Sequence, residues 1–274
     1  MIAFNDADAN STTIAPHANL SSHNLLSADL SGRDLYRADL SSANLSGANL
    51  QAIALIGADL SGANLSNADL KKADLRGASL RKVNFTGADL TSAYLFRADV
   101  QGCNFSSANL KNTELKLALY DRETQWPEGF RYKSSGAVGP GAALNGAYLN
   151  TANLKGADLS GAMMFGAYLS GANLQAANLK EAMLSGANLQ KAFLIGANLQ
   201  GVNLAGAELQ RADFRAANLS DVDFSAVGSI AGADFTDAVG LSDEGRAKLL
   251  SHPAAELEEW NAFTRKTTRQ SLEA

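Results

Sequence analysis

Cysteine, histidine, proline and aromatic residues are scarce in this chain, and each scarcity closes off a class of protein. A single cysteine, Cys103, leaves no internal disulfide to hold a fold. It reads as a small buried thiol, and no chemistry is assigned to it. The three histidines, His17, His23 and His252, lie toward the two ends, so the middle of the chain has neither a His base nor a His metal cluster. Nowhere do 18 consecutive apolar residues occur, so no membrane-spanning helix is expected. The opening residues, MIAFNDADAN, also lack the basic start and apolar run of a secretion signal. We expect a cytoplasmic protein that does not meet a membrane. The 23 basic and 28 acidic residues give a net charge of −5, without the basic footprint that duplex DNA requires, so nucleic acid is not an expected partner.

What is abundant is Ala, Leu, Asn, Gly and Ser, and that bias directs attention to internal repeats. From Leu20 to Leu115 a large apolar residue stands at every fifth position, through Phe85, Val100 and Phe105. A small residue, usually Ala, stands two positions before nearly all of them, as at Ala38, Ala43, Ala48 and Ala68. The unit reads A-(N/D)-L-x-x. A second block runs from Leu144 to Phe224, read as continuing the same phase, and slips by one residue at Gly228-Ser229-Ile230 before Phe235.

A period of five matches neither a helix nor a strand. Within each unit, however, the two apolar positions are two apart and so face one side of a short extended stretch. The Ser- and Gly-rich pair that follows turns the chain, and the Asn or Asp between the apolar positions faces outward, where it bonds neighbouring backbone. Extended stretch plus corner, repeated, winds a coil lined by Ala and Leu.

Stretches such as ADLSSANLSGANL (38–50) and SGANLQAANLKEAMLSGANLQ (170–190) resemble the pentapeptide-repeat family. The resemblance implies an all-β fold, a right-handed quadrilateral β-helix in which four repeat units close each coil. On that reading the chain divides into a tail or lid (1–17), a first repeat block (18–115), an inserted loop (116–143), a second block (144–238) and a helical cap (239–274). His23 and Arg33 stand at small-residue positions, so the first coil is expected to be distorted or open. The insertion, with its YDRETQWPEGF segment, resembles cyanobacterial members of the family. In the C-terminal segment, Ser242 is an expected helix N-cap with Asp243 and Glu244 in the first turn, and a second helix is expected over about 254–268.

No nucleophile motif, phosphate loop or metal cluster emerges, so the chain is read as no enzyme, without cofactor or metal. What remains is surface. A coil of four units stacks Tyr36, Ile56, Arg76 and Phe96 on one line, flanked by Arg37, Arg97 and Tyr94. It also stacks Tyr148 on Tyr168 and Met163 on Met183. Together with Trp126, Phe130 and Tyr132 of the insertion, these are the candidate protein contacts. Leu257, Trp260 and Phe263 are candidates for a cap or a dimer contact, the chain being a monomer or a homodimer through its C-terminal segment. The expected function is a protein-binding scaffold or regulator with an unknown protein partner. Resemblance supplies one alternative, a DNA-mimic modulator of type II topoisomerase like the quinolone-resistance members. A purely structural, stress-protective role is another. Mimicry requires a continuous acidic face. Residues 18–115 carry nine acidic and nine basic residues, and 144–238 carry eight against five.

Overall fold

The computed structural model describes residues 14–273, so most of the expected N-terminal tail, residues 1–13, lies outside the described residues. The chain forms two compact units, Met1–Val138 and Gly139–Ala274.

Within each unit the chain winds in coils with four corners, and each residue pairs in parallel with its counterpart four repeats on. In the first unit Asn24 pairs with Asn44, Asn44 with Asn64 and Asn64 with Asn84. In the second, Asn178 pairs with Asn198 and Asn198 with Asn218. One repeat shows how the sequence dictates this. The Ala38 amide donates to Leu35 O at 3.0 Å, closing a four-residue turn whose third residue, Arg37, has φ 52°. A left-handed third residue is what a type II turn demands. The Asp39 amide then donates backward to Ala18 O (2.9 Å), and the Leu40 amide forward to Asp59 O (2.6 Å). Successive amides therefore bond to the coils on either side.

The outward Asn and Asp side chains satisfy the corners. Asp39 Oδ1 accepts the Ser41 amide at 2.9 Å, and the same i to i+2 bond recurs at Asp59, Asp89 and Asn104. Asn side chains also bond to one another between coils, Asn84 Nδ2 donating to Asn64 Oδ1 (3.2 Å) and Asn218 Nδ2 to Asn198 Oδ1 (3.1 Å). Inside, Ala68 and Leu70 are buried, as are the large apolar residues at each five-residue step from Leu20 to Leu115 and most of the small ones. Gly240 shows where a corner tolerates no side chain: a Cβ there would collide with Ser220, including its amide nitrogen at 2.8 Å.

The first coil is open as expected, its small-residue positions Ala18, His23 and Ala28 half-buried and Arg33 exposed where Ala38 is buried, but its backbone is regular rather than distorted. The Leu20 amide donates to Asp39 O, and Arg33 O accepts the Ala54 amide at 2.9 Å. Arg33 is accommodated because its side chain is exposed, and His23 is half-buried with Nδ1 3.1 Å from Ser21 O.

Residues 116–138 continue the coil. Leu119 pairs with Asp99 and then with Val138, while Gln125 pairs with Asn104. Gln125 comes one position later than the regular repeat would place Asn104's partner, and Val138 one position earlier than it would place Leu119's, so one residue is gained before Gln125 and two are lost after it, a net loss of one. Leu115 and Tyr120 accordingly stand on multiples of five, and Leu144 one position earlier, so the second block does not keep the phase of the first. The slip at Gly228–Ile230 is a coil with one extra residue, in which Asp213 pairs with Asp234.

After Val239 come α1 (Asp243–Leu250), α2 (Ala254–Leu257), β1 (Trp260–Asn261), β2 (Lys266–Thr267) and α3 (Thr268–Leu272). Ser242 caps α1, its hydroxyl accepting the Gly245 amide at 3.0 Å. The single helix expected over 254–268 is not formed. Instead β1 and β2 make an antiparallel hairpin, and α3 starts at a capping box of Thr267 and Gln270. The reason lies in the last coil. Asn261 Nδ2 donates to Gly232 O at 2.7 Å while its Oδ1 accepts the Phe263 amide at 3.0 Å. Thr268 Oγ1 donates to Ile230 O (3.2 Å), and Glu256 Oε2 accepts the Ile230 amide (2.9 Å). These bonds satisfy backbone groups of the terminal coil, and a continuous helix would not place all of these side chains against them.

Candidate functional site

In the first unit the line Tyr36, Ile56, Arg76 and Phe96 is formed as expected from a coil of four repeats. Arg37 N donates to Ile56 O, Gly57 N to Arg76 O and Gly77 N to Phe96 O, at 2.9–3.0 Å. The aromatic and aliphatic members are half-buried, and Tyr94 on the adjoining column is exposed. Arg37 lies over the Tyr36 ring, Cζ 5.2 Å from its centroid, and Arg97 over Phe96 at 5.1 Å. Arg76 is committed elsewhere, forming a bidentate pair with Asp74 (Nε–Oδ1 2.8 Å, Nη2–Oδ2 2.6 Å).

Other carboxylates are similarly matched. Lys71 Nζ lies 2.9 Å from Asp69 and 3.3 Å from Asp89, Arg81 meets Asp99 at 2.7 Å and Arg215 meets Asp213 at 2.7 Å. Burial pulls the Asp69 and Asp89 carboxyls upward, but hydrogen bonds from Lys71 and the neighbouring polar groups outweigh it and hold both below the ordinary value.

Trp126, Phe130 and Tyr132 are half-buried and occupied with one another. Trp126 stacks on Phe105 (5.2 Å, 12° between planes), which stacks on Phe85 (4.9 Å, 2°). Phe130 and Tyr132 then stack on Trp126, and Tyr120 meets it edge-on. The insertion's aromatics thus extend an interior column.

In the second unit Tyr148 and Tyr168 stack in parallel, centroids 4.8 Å apart and planes 2° apart. Their exposures are 71% and 42%; Met163 at 38% and Met183 at 44% are paired on the neighbouring column. Phe165, missed by the sequence reading, occupies the corner between these columns and is 42% exposed. Its signal was the run Met163-Met164-Phe165, where the unit ordinarily has a polar residue on each side of the core position. Phe193 was also missed. Of the C-terminal candidates, Leu257 is buried at 1% and takes no part in a surface, whereas Trp260 and Phe263 are exposed.

Cys103 is fully buried, Sγ donating to Leu80 O at 2.8 Å, and burial pushes its thiol far above the ordinary range. Among the described residues no group of three His, Cys, Asp or Glu side chains is placed to hold a metal ion, and no helix is long and apolar enough to cross a membrane.

Comparison with known proteins places these coils. The family model described as pentapeptide repeats matches in eight copies, over residues 17–51, 48–87, 58–95, 88–118, 141–167, 164–201 and 194–227. Among solved structures, the chain is similar to HetL, a pentapeptide repeat protein involved in heterocyst differentiation regulation from the cyanobacterium Nostoc sp. strain PCC 7120. The identity is 30%, over 84% of this chain and 92% of that one, with a TM-score of 0.39. It is 40% identical to alr5209 from Nostoc PCC 7120, over 36% of this chain and 82% of that one, with a TM-score of 0.36. With QnrB1, a plasmid-mediated fluoroquinolone resistance protein, identity is 15% over 81% of this chain and 95% of that one, TM-score 0.33. No curated protein matches the sequence. The repeat model covers well over half of the residues, and the chain belongs to the pentapeptide-repeat family.

Proposed function

We propose that this protein is a non-catalytic scaffold or regulator that binds another protein through the side faces of its coils. The observation that carries this reading is the cluster of Tyr148, Tyr168, Phe165, Met163 and Met183 around one corner of the second unit. Elsewhere the central outward positions hold mainly Asn, Asp and Ser, so five exposed apolar side chains on two successive coils stand out. Aromatic residues and Met at such a patch are the composition of an interface core. The coil is taken as right-handed, the sense in which parallel segments of one sheet connect. We take residues 239–273 as a cap, because their side chains satisfy the exposed edge of the last coil.

Affinity capture tests the scaffold reading. A Tyr148→Ser/Met183→Ser variant with unchanged circular dichroism should lose a protein that the parent retains. Equal capture by both, or none by either, would overturn it. The DNA-mimic alternative is disfavoured by the cations that interrupt the acidic columns at Lys71, Arg76, Arg81 and Arg215. Purified protein is therefore expected neither to inhibit gyrase supercoiling nor to relieve its inhibition by quinolones. Potent inhibition in that assay would promote the mimic instead.

A further inference from the structure

We infer that the Tyr36–Phe96 line of the first unit is a docking notch for an acidic protein segment, one that places two carboxylates three coil spacings apart with an apolar side chain between them on the same face. The inference shares the reading of this chain as a protein-binding coil, but it rests on other residues, so either can fail alone.

The notch follows from what stands at each level of the line. Its two corner positions carry Tyr36 and Arg37 on one coil, Ile56 and Gly57 on the next, Arg76 and Gly77 on the third, and Phe96 and Arg97 on the fourth. The outer coils thus each present a ring with a guanidinium over it, while the two middle coils present glycine at the second position. A Cβ at Gly77 would meet nothing within 4 Å, so the space above it is open. At Gly57 the Arg37 side chain runs alongside, Cγ 3.3 Å from where a Cβ would be, which lays that arginine against the floor. Arg76, whose side chain could have filled the third level, is instead bound through two hydrogen bonds to Asp74. Ile56 is left as an apolar floor between two aromatic ledges.

Charge selects the occupant. Arg76 and Arg81 are neutralised by Asp74 and Asp99, but among the described residues Arg37 and Arg97 make ring contacts and no ion pair. A ring beneath a guanidinium restrains it without cancelling its charge, so both cations are held ready for a carboxylate. Three coil spacings of about 4.8 Å separate them, roughly 14 Å. An extended segment covers about 13 Å in four residues. Acids at positions 1 and 5 share a face with position 3, so an apolar residue there meets the Ile56 floor while the acids meet the cations. A polyanion such as nucleic acid fits worse, because Asp34, Asp39 and Asp59 lie on the flanking columns and would repel a continuous run of phosphates.

The test uses the full chain and fluorescent peptides with the core Glu-Ser-Leu-Ser-Glu, read by anisotropy. Comparison peptides carry Gln or Lys in place of both Glu residues, and a single-stranded oligonucleotide is the polyanion arm. We expect saturable binding of the Glu peptide, weakened at least tenfold by Arg37→Glu or by Arg97→Glu, and no saturation by the Lys peptide. Gly77→Gln should also abolish binding while lowering the melting temperature only modestly, because its left-handed backbone strains a side chain but Arg37 and Lys72 are accommodated in the same conformation at equivalent corners. Tyr148→Ser should leave peptide binding unchanged, separating this notch from the apolar corner of the second unit. Absence of saturable Glu-peptide binding would overturn the inference. So would equal binding of the Gln peptide, indifference to the arginine substitutions, or tighter binding of the oligonucleotide.

Discussion

At the scale of single residues, the five-residue unit makes adjacent positions unequal in a way that substitution reads directly. Ala68 is 1% exposed and Leu70 is fully buried, whereas Lys71 at the following corner is exposed and bridges Asp69 and Asp89. Leu70→Ala is expected to cost about 2–5 kcal/mol through the void it leaves. Ala68→Phe overpacks a coil whose section is set by four small residues, and about 1–3 kcal/mol is expected. Lys71→Ser loses only solvent-exposed ion pairs, and the stability is expected to stay close to that of the parent. Denaturant titrations of the three variants check that order, and a Lys71→Ser protein less stable than Leu70→Ala would invert the assignment of inside and outside. The order was legible in the sequence because side chains two apart on an extended stretch share a face. The matching of Lys71 to two carboxylates was not, since one of them belongs to the next coil.

Among the elements, the informative ones are those that leave the repeat. Trp126 enters the stack begun by Phe85 and Phe105, and so Trp126→Ala should cost about 3 kcal/mol, at the low end for a large aromatic because the ring is half-buried. A melting temperature equal to the parent's would show that 116–138 is only appended to the coil. At the other end, Asn261 is 3% exposed and joins the hairpin to Gly232 O. Asn261→Ala leaves that carbonyl without its partner, with an expected cost of about 1–3 kcal/mol. Faster hydrogen exchange at the Ile230 amide, which Glu256 holds, would accompany it. Retained protection there would mean that the hairpin does not hold the last coil.

For the whole molecule, acid stability follows from the same outward carboxylates. The Ser41 hydroxyl and amide hold Asp39 below the ordinary value of 3.8, and Ser225 does the same for Asp223. A carboxyl whose folded value is depressed contributes stability that is present above its unfolded value and lost as pH falls through the folded one. Such groups occur in both units, so the melting temperature should be level near neutrality and decline below about pH 4. A melting temperature that rose on acidification would contradict the role given to these corner bonds.

The sequence by itself determined the coil, its inner and outer positions, the capped start of α1 and the extra residue at Gly228–Ile230, because each depends on spacing within a repeat whose neighbours are near-copies of itself. Only the tertiary structure decided where the non-repeating segments went. Trp126 reads from the sequence either as a protein contact or as an aromatic folded back onto the coil, and its stacking on Phe105, on the coil before it, decides for the second. Residues 254–268 read as one helix until the open carbonyls of Gly232 and Ile230 require Asn261 and Thr268 to bond to them. Periodicity fixes contacts that recur at constant separation, whereas a segment that occurs once takes its conformation from the backbone and side-chain groups that the repeats leave unsatisfied at their ends.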